Sequence, residues 1–169
     1  MTSPFLKTGL PVANQDEDAA DRIRAISRHS LAYMLCAASE MLRHYDFDPI
    51  DLLIVHAVLN ANVINIMKNP ELDRQLGSVT TVEPDAIKQG VSRAALSRFL
   101  GVPVETVRRR ADRLKQQGVL RETEHGLIVT EANQYKFGNN HELQKTNILL
   151  LRKLFRDLAE AGVEVPGGI

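Results

Sequence analysis

The chain has 169 residues, 44% apolar and 25% charged, a balance that excludes both disorder and a low-complexity filament. Aromatic residues make up 5% and Trp is absent, which excludes an aromatic stacking platform for bases. A single cysteine excludes an internal disulfide and a cysteine-cluster zinc site, whereas the formal net charge of zero hides a strongly uneven distribution.

Residues 1–16 hold Pro4, Gly9 and Pro11 without periodicity, so a flexible arm is expected. They contain no apolar signal core, and no stretch approaches 18 continuous apolar residues, so a cytoplasmic protein without a membrane partner is expected. From Glu17 to His44, Ile23, Ile26, Ser30, Met34, Ala37, Ala38, Met41 and Leu42 recur at three- and four-residue steps, the signature of a long amphipathic helix. Its apolar face is broader than one small domain needs. Cys36 lies within it and reads as a small buried hydrophobe, with no basic neighbour at helical spacing to activate it.

Asp48-Pro49 places an N-cap before a proline at the first helical position. The helix that follows, to about Lys68, is apolar almost all round and belongs in a core. Residues 17–68 thus form an expected N-terminal helical region for dimerisation and core. Within it His56 and Asn60 stand four apart, and Asn62 and Asn65 three apart. They line a small-molecule pocket, bond across a dimer, or satisfy local backbone or inter-helix hydrogen bonds, the last being the simpler reading. Asn69-Pro70 ends the helix. Residues 69–90 form a polar connection, with a helical turn and a short extended stretch at 78–82.

The informative segment is 91–130. Residues 88–121 carry nine basic side chains (Lys88, Arg93, Arg98, Arg108, Arg109, Arg110, Arg113, Lys115 and Arg121) against Glu105 and Asp112, a net +7. The preceding 87 residues carry −5 and the last 48 carry −2. A basic module between acidic flanks is the footprint of polyanion binding, although a charge run alone is more often a solvated helix face. Ser92 caps a short helix whose buried side is Ala95, Leu96 and Phe99. Gly101 ends it with the positive φ a tight turn demands. Val102-Pro103 completes the turn, and a second helix runs from Val104 to about Gln117. A helix, tight turn and helix with glycine between them presents the second helix to a major groove.

On that second helix Val107, Ala111 and Leu114 face inward, while Glu105, Arg109, Asp112 and Gln116 point outward. Arginine can bond bidentately to guanine and glutamate can accept from cytosine, so Glu105 and Arg109 are the expected base readers. Ser92, Thr106, Arg108, Arg110, Arg113 and Arg121 are the expected phosphate contacts. The plainer reading is a surface helix with a weak Glu105–Arg109 pair. Three adjacent arginines repel one another, however, and make better sense opposite phosphates. After Gly118 the period changes: residues 119–123 and 127–130 read as strands of a hairpin turning at Glu124-His125-Gly126.

The stretch SRAALSRFLGVPVETVRRRADRLKQQGVL resembles the helix-turn-helix and wing start of bacterial winged-helix regulators of the Crp and GntR type. Their recognition helix opens with E-T-V-x-R, matched here by Glu105-Thr106-Val107-Arg108-Arg109. The resemblance implies base contact from Glu105 and Arg109 and backbone contact from Thr106. Val104 departs from it, standing where Crp-type proteins commonly carry a base-reading arginine. Nothing N-terminal reads as the cyclic-nucleotide β-barrel of that group. The element order is closer to MarR-type regulators, in which terminal helices interlock in a dimer.

In residues 131–169, Asn139 with Glu142 three residues on fits a capping box for a last helix running to about Ala161. It carries Leu143, Ile148, Leu149, Leu150, Leu151, Leu154, Phe155 and Leu158 on more than one face, and Gly162 stops it. The fold class expected is mainly α: a winged helix-turn-helix domain with a small hairpin wing, flanked by N- and C-terminal dimerisation helices. The expected function is a homodimeric transcriptional regulator binding double-stranded DNA at an inverted repeat. The competing reading is a winged-helix interaction module for an acidic protein partner. No metal motif, phosphate loop or nucleophile elbow points to an enzyme, and no cofactor is expected.

Overall fold

The computed structural model describes residues 17–78, 81–137 and 140–163. The expected arm at 1–16 and the cap at Asn139 lie outside them, as does part of the expected extended stretch at 78–82. The protein is mainly helical with one small antiparallel sheet. It divides into two compact units, one holding residues up to His44 and from Glu142, the other Tyr45–His141.

The first unit is built from α1 (Glu17–His44) and α7 (His141–Glu160). The helices run antiparallel: Tyr33 donates to Asn147 Oδ1 at 3.0 Å, and His29 Nδ1 lies 3.6 Å from Asp157 Oδ2. Leu158 of α7 is buried. Ile23, Ile26, Leu31, Met34, Leu35 and Leu42 of α1 are exposed, as are Ile148 and Leu149 of α7. Cys36, expected among buried neighbours, is exposed as well. It shares the exposure of much of the apolar face of its helix, which the described residues leave uncovered.

The second unit is organised around α2 (Pro49–Met67). Asp48 caps it by accepting from Ile50 N at 2.8 Å. Leu52, Ile54, Val55 and Val58 are at most 2% exposed. By length and composition alone this helix could cross a membrane, but its apolar length here forms the core. The 69–90 connection contains α3 (Pro70–Leu76), capped by Asn69, and a 3-10 turn at Asp85–Ile87. Next come α4 (Arg93–Leu100), α5 (Val104–Gln116), β1 (Leu120–Thr123), β2 (Gly126–Val129) and α6 (Glu131–Phe137).

β1 and β2 pair with Leu120 opposite Val129 and Thr123 opposite Gly126. On its other edge β2 meets Val91, which exchanges two backbone hydrogen bonds with Leu127 at 3.1 and 2.9 Å. Leu127, Ile128 and Val129 are therefore central and fully buried. Asn62, 1% exposed, explains its presence on an apolar helix. Its side chain donates to Gln89 O at 2.7 Å and accepts from Val129 N at 2.9 Å, satisfying backbone groups between α2 and the sheet. Thus a polar side chain fixes where the hairpin sits on the core helix.

Within the expected C-terminal segment 131–169, α6 is a separate short helix ahead of α7. Thr130 O accepts from Asn133 N and Gln134 N, Asn133 Nδ2 bonds Thr130 Oγ1 at 2.8 Å, and Asp85 accepts from Glu131 N at 3.1 Å.

Candidate nucleic-acid interface

The α4–turn–α5 hairpin follows from four local features. Ser92 Oγ accepts from Ala95 N at 3.2 Å, capping α4. Gly101 adopts φ 65°, the left-handed conformation that ends α4. Ser97 Oγ donates to Val102 O at 2.7 Å and ties the turn back onto α4. Pro103 then opens α5, with no side chain capping its first amides. Val107, Ala111 and Leu114 are wholly buried. That stripe fixes the rotation of α5, so the opposite face is held outward. Phe99, expected on the buried side of α4, is 43% exposed instead.

The side chains of the triple arginine take three directions, as steps of about 100° around a helix require. Arg108 bonds Glu105 at 2.5 and 2.9 Å and reaches Asp112 at 3.4 Å. Arg110 turns toward α2, 2.6 Å from Asp48 Oδ1 and 3.1 Å from Asp51 Oδ1. Arg109, between them, is exposed and makes no hydrogen bond or ion pair among the described residues. The pairing on this face is therefore Glu105 with Arg108, at i,i+3, and not with Arg109. It lowers the Glu105 pKa, chiefly through the Arg108 hydrogen bond, and keeps the carboxylate charged.

The other expected phosphate contacts are differently placed. Arg113 bonds the second oxygen of Asp51, so both it and Arg110 are held against α2. Arg121, on β1, lies 2.8 Å from Asp85 Oδ2. Thr106 is half-buried at the start of α5, and the Ser92 hydroxyl is engaged as a cap. Arg93 binds Glu122 at 2.5 Å and Asp112 at 3.2 Å, and Lys115 binds the same Glu122 carboxylate. These two cations hold the Glu122 carboxyl down to about 2, with the Arg93 hydrogen bond the largest cause. Lys88 is buried, its Nζ 2.8 Å from Asp85 and 2.9 Å from Val129 O.

Four carboxylates from outside the basic segment, Asp48, Asp51, Asp85 and Glu122, thus answer cations within it. Counting them, its net +7 becomes +3. Sequence reasoning missed these partners because they come from other segments. One signal was present: an aspartate at position 51 in an otherwise apolar first turn calls for a buried counter-charge. Arg98, in the last turn of α4, is exposed and like Arg109 makes no hydrogen bond or ion pair among the described residues. Unlike Arg109, it enters the sequence reading only as one of the nine basic side chains.

The hairpin beside α5 turns at Glu124-His125. Thr123 Oγ1 accepts from His125 N at 3.2 Å and donates to Gly126 O at 3.0 Å. Gly126, at φ 119°, supplies the positive φ. His125 and Glu124 at the tip are exposed, 3.2 Å apart, so the tip is not cationic in the way a minor-groove probe would be.

His56 and Asn60 differ in their surroundings. His56 Nδ1 bonds Leu52 O at 2.8 Å and its ring lies against Tyr45 and Phe137, while Asn60 is exposed. A cavity of about 190 Å³ lies in the α1/α7 unit, lined by Glu40, Arg43, His44, Glu142, Leu143 and Thr146. Among the described residues no group of three or more His, Cys, Asp or Glu side chains is placed to hold a metal. No protein-family model matches the chain, and no curated protein or solved structure matches it significantly.

Proposed function

We propose that the second unit is a winged helix-turn-helix and that the protein is a sequence-specific transcriptional regulator binding double-stranded DNA as a homodimer. The observation that carries this reading is the division of α5. Its inner stripe is locked into the core, and its outer face presents Arg109 exposed and, among the described residues, unpaired in the second turn after a tight turn. An arginine held on such a face can bond bidentately to guanine O6 and N7. Thr106, the uncapped first-turn amides, Arg108 and Arg98 supply phosphate contacts around it. The exposed apolar residues of α1 and α7 support a two-fold partner, since a second copy would cover them, and a dimer brings two copies of α5 to an inverted repeat.

Selection of duplexes from a random library tests this reading. Enrichment of an inverted repeat with half-sites about one helical turn apart, bound by a species that sediments as a dimer, is the expected result. The small residual charge favours a second reading, an interaction module for an acidic protein. A library that yields no enriched duplex, with acidic peptides bound instead, would establish that alternative.

A further inference from the structure

Asp51 stands in the first turn of α2 with a side chain only 4% exposed. One of its oxygens takes Arg110 and the other takes Arg113, while Asp48 adds a second carboxylate at 2.6 Å from Arg110. Both arginines belong to α5, the helix that carries Arg109. A buried carboxylate that only needed neutralising would be served by one guanidinium. Here it engages two, and Arg113 remains half-exposed with its charged end drawn back to α2.

We infer that Asp51 is a specificity-determining residue: it withholds Arg110 and Arg113 from the DNA backbone and so leaves discrimination to Arg109. The inference rests on the DNA-binding reading above. Its physical basis is that each cation reaching a phosphate adds affinity for every sequence alike, together with about 0.9 in the slope of log affinity against log salt. Two long arginines freed at the edge of α5 would engage phosphates in loosely docked complexes on any duplex. In the specific complex the seated helix fixes their reach, so the preference for one sequence shrinks. Asp51 is thus a positioning residue, acting through the arginines it holds and touching no DNA itself.

The test is fluorescence-anisotropy titration of the full chain, over a range of salt concentrations, against a library-selected duplex and a random-sequence duplex. Asp51→Asn keeps the shape and removes the charge. It is expected to tighten binding to the random duplex at low salt, steepen its salt slope by about one to two, and shrink the preference for the selected duplex. Arg113→Gln removes a cation that touches no phosphate, so it should leave the wild-type slope unchanged. A variant Asp51→Asn that folds as the wild type, by its circular dichroism melt, with an unchanged slope overturns the inference. So does a fall of about one in the slope for Arg113→Gln. Should Asp51→Asn fail to fold, Arg113→Gln decides alone. A wild type that binds no duplex at low salt sinks the DNA-binding reading itself, whereas either variant result against a binding wild type sinks only the role of Asp51.

Discussion

Two polar residues on the core helix carry opposite lessons about single side chains. Asn62 is engaged on both its amide groups by backbone at the sheet. His56 is packed among Tyr45 and Phe137, and that burial lowers its pKa below the ordinary 6.5, against smaller opposing effects of backbone hydrogen bonds at Leu52 and Phe137. The unfolded chain therefore binds more protons than the folded one just below that value. The contribution of neutral His56 is complete above about pH 6.5 and is lost as pH falls through the lower folded value, at up to about 1.4 kcal/mol per pH unit. Urea melts should show weaker folding at about pH 5 than at about pH 7.5. His56→Phe should flatten that difference; an unchanged pH dependence in the variant would place its origin elsewhere. That Asn62 satisfies backbone groups was legible from one polar residue on an apolar face. The aromatic surroundings of His56 were not, because Tyr45 and Phe137 lie 92 positions apart in the sequence.

Among the elements, those with strong local signals were readable to within a residue or two. The span of α1 follows from its periodicity, the start of α2 from Asp48-Pro49, and the α4–α5 turn from Gly101. What the sequence hid was tertiary. α6 is only seven residues long, too short for a clear periodicity beside the longer apolar run that follows it. The short strand pairing at Val91 was invisible, since one residue has no periodicity. It nevertheless imposes a strict demand on two glycines. A Cβ on Gly90 would stand 2.6 Å from the His125 carbonyl carbon and oxygen, and one on Gly126 would stand 2.6 Å from Val91 O. These are backbone atoms that cannot swing aside. Gly90→Ala is accordingly expected to cost about 1–3 kcal/mol, the usual range for overpacking. Amide hydrogen exchange should show the loss as weaker protection at Val91 and Leu127, whose mutual bonds would part first. Retained protection at both would mean that the hairpin does not depend on this close approach.

For the molecule as a whole, the sequence marked where positive charge gathers but not how much of it stays available. Charge counted along a segment ignores carboxylates that folding brings in from other segments, and here four of them return. The triple arginine illustrates the point: one member is paired locally, one is drawn to α2, and only Arg109 is left unpaired on the outer face among the described residues. Under the proposed function, this pairing of cations and the exposed Arg109 predict weak binding to random DNA and selective binding to one site. The most direct test compares Arg109→Ala with Arg108→Ala on the library-selected and random duplexes. Arg109→Ala is expected to cost about 1–3 kcal/mol on the selected duplex, with little change on the random one, while Arg108→Ala weakens both alike. Equal losses from both variants on both duplexes would mean that α5 contributes charge without reading sequence, and would contradict the proposed regulator.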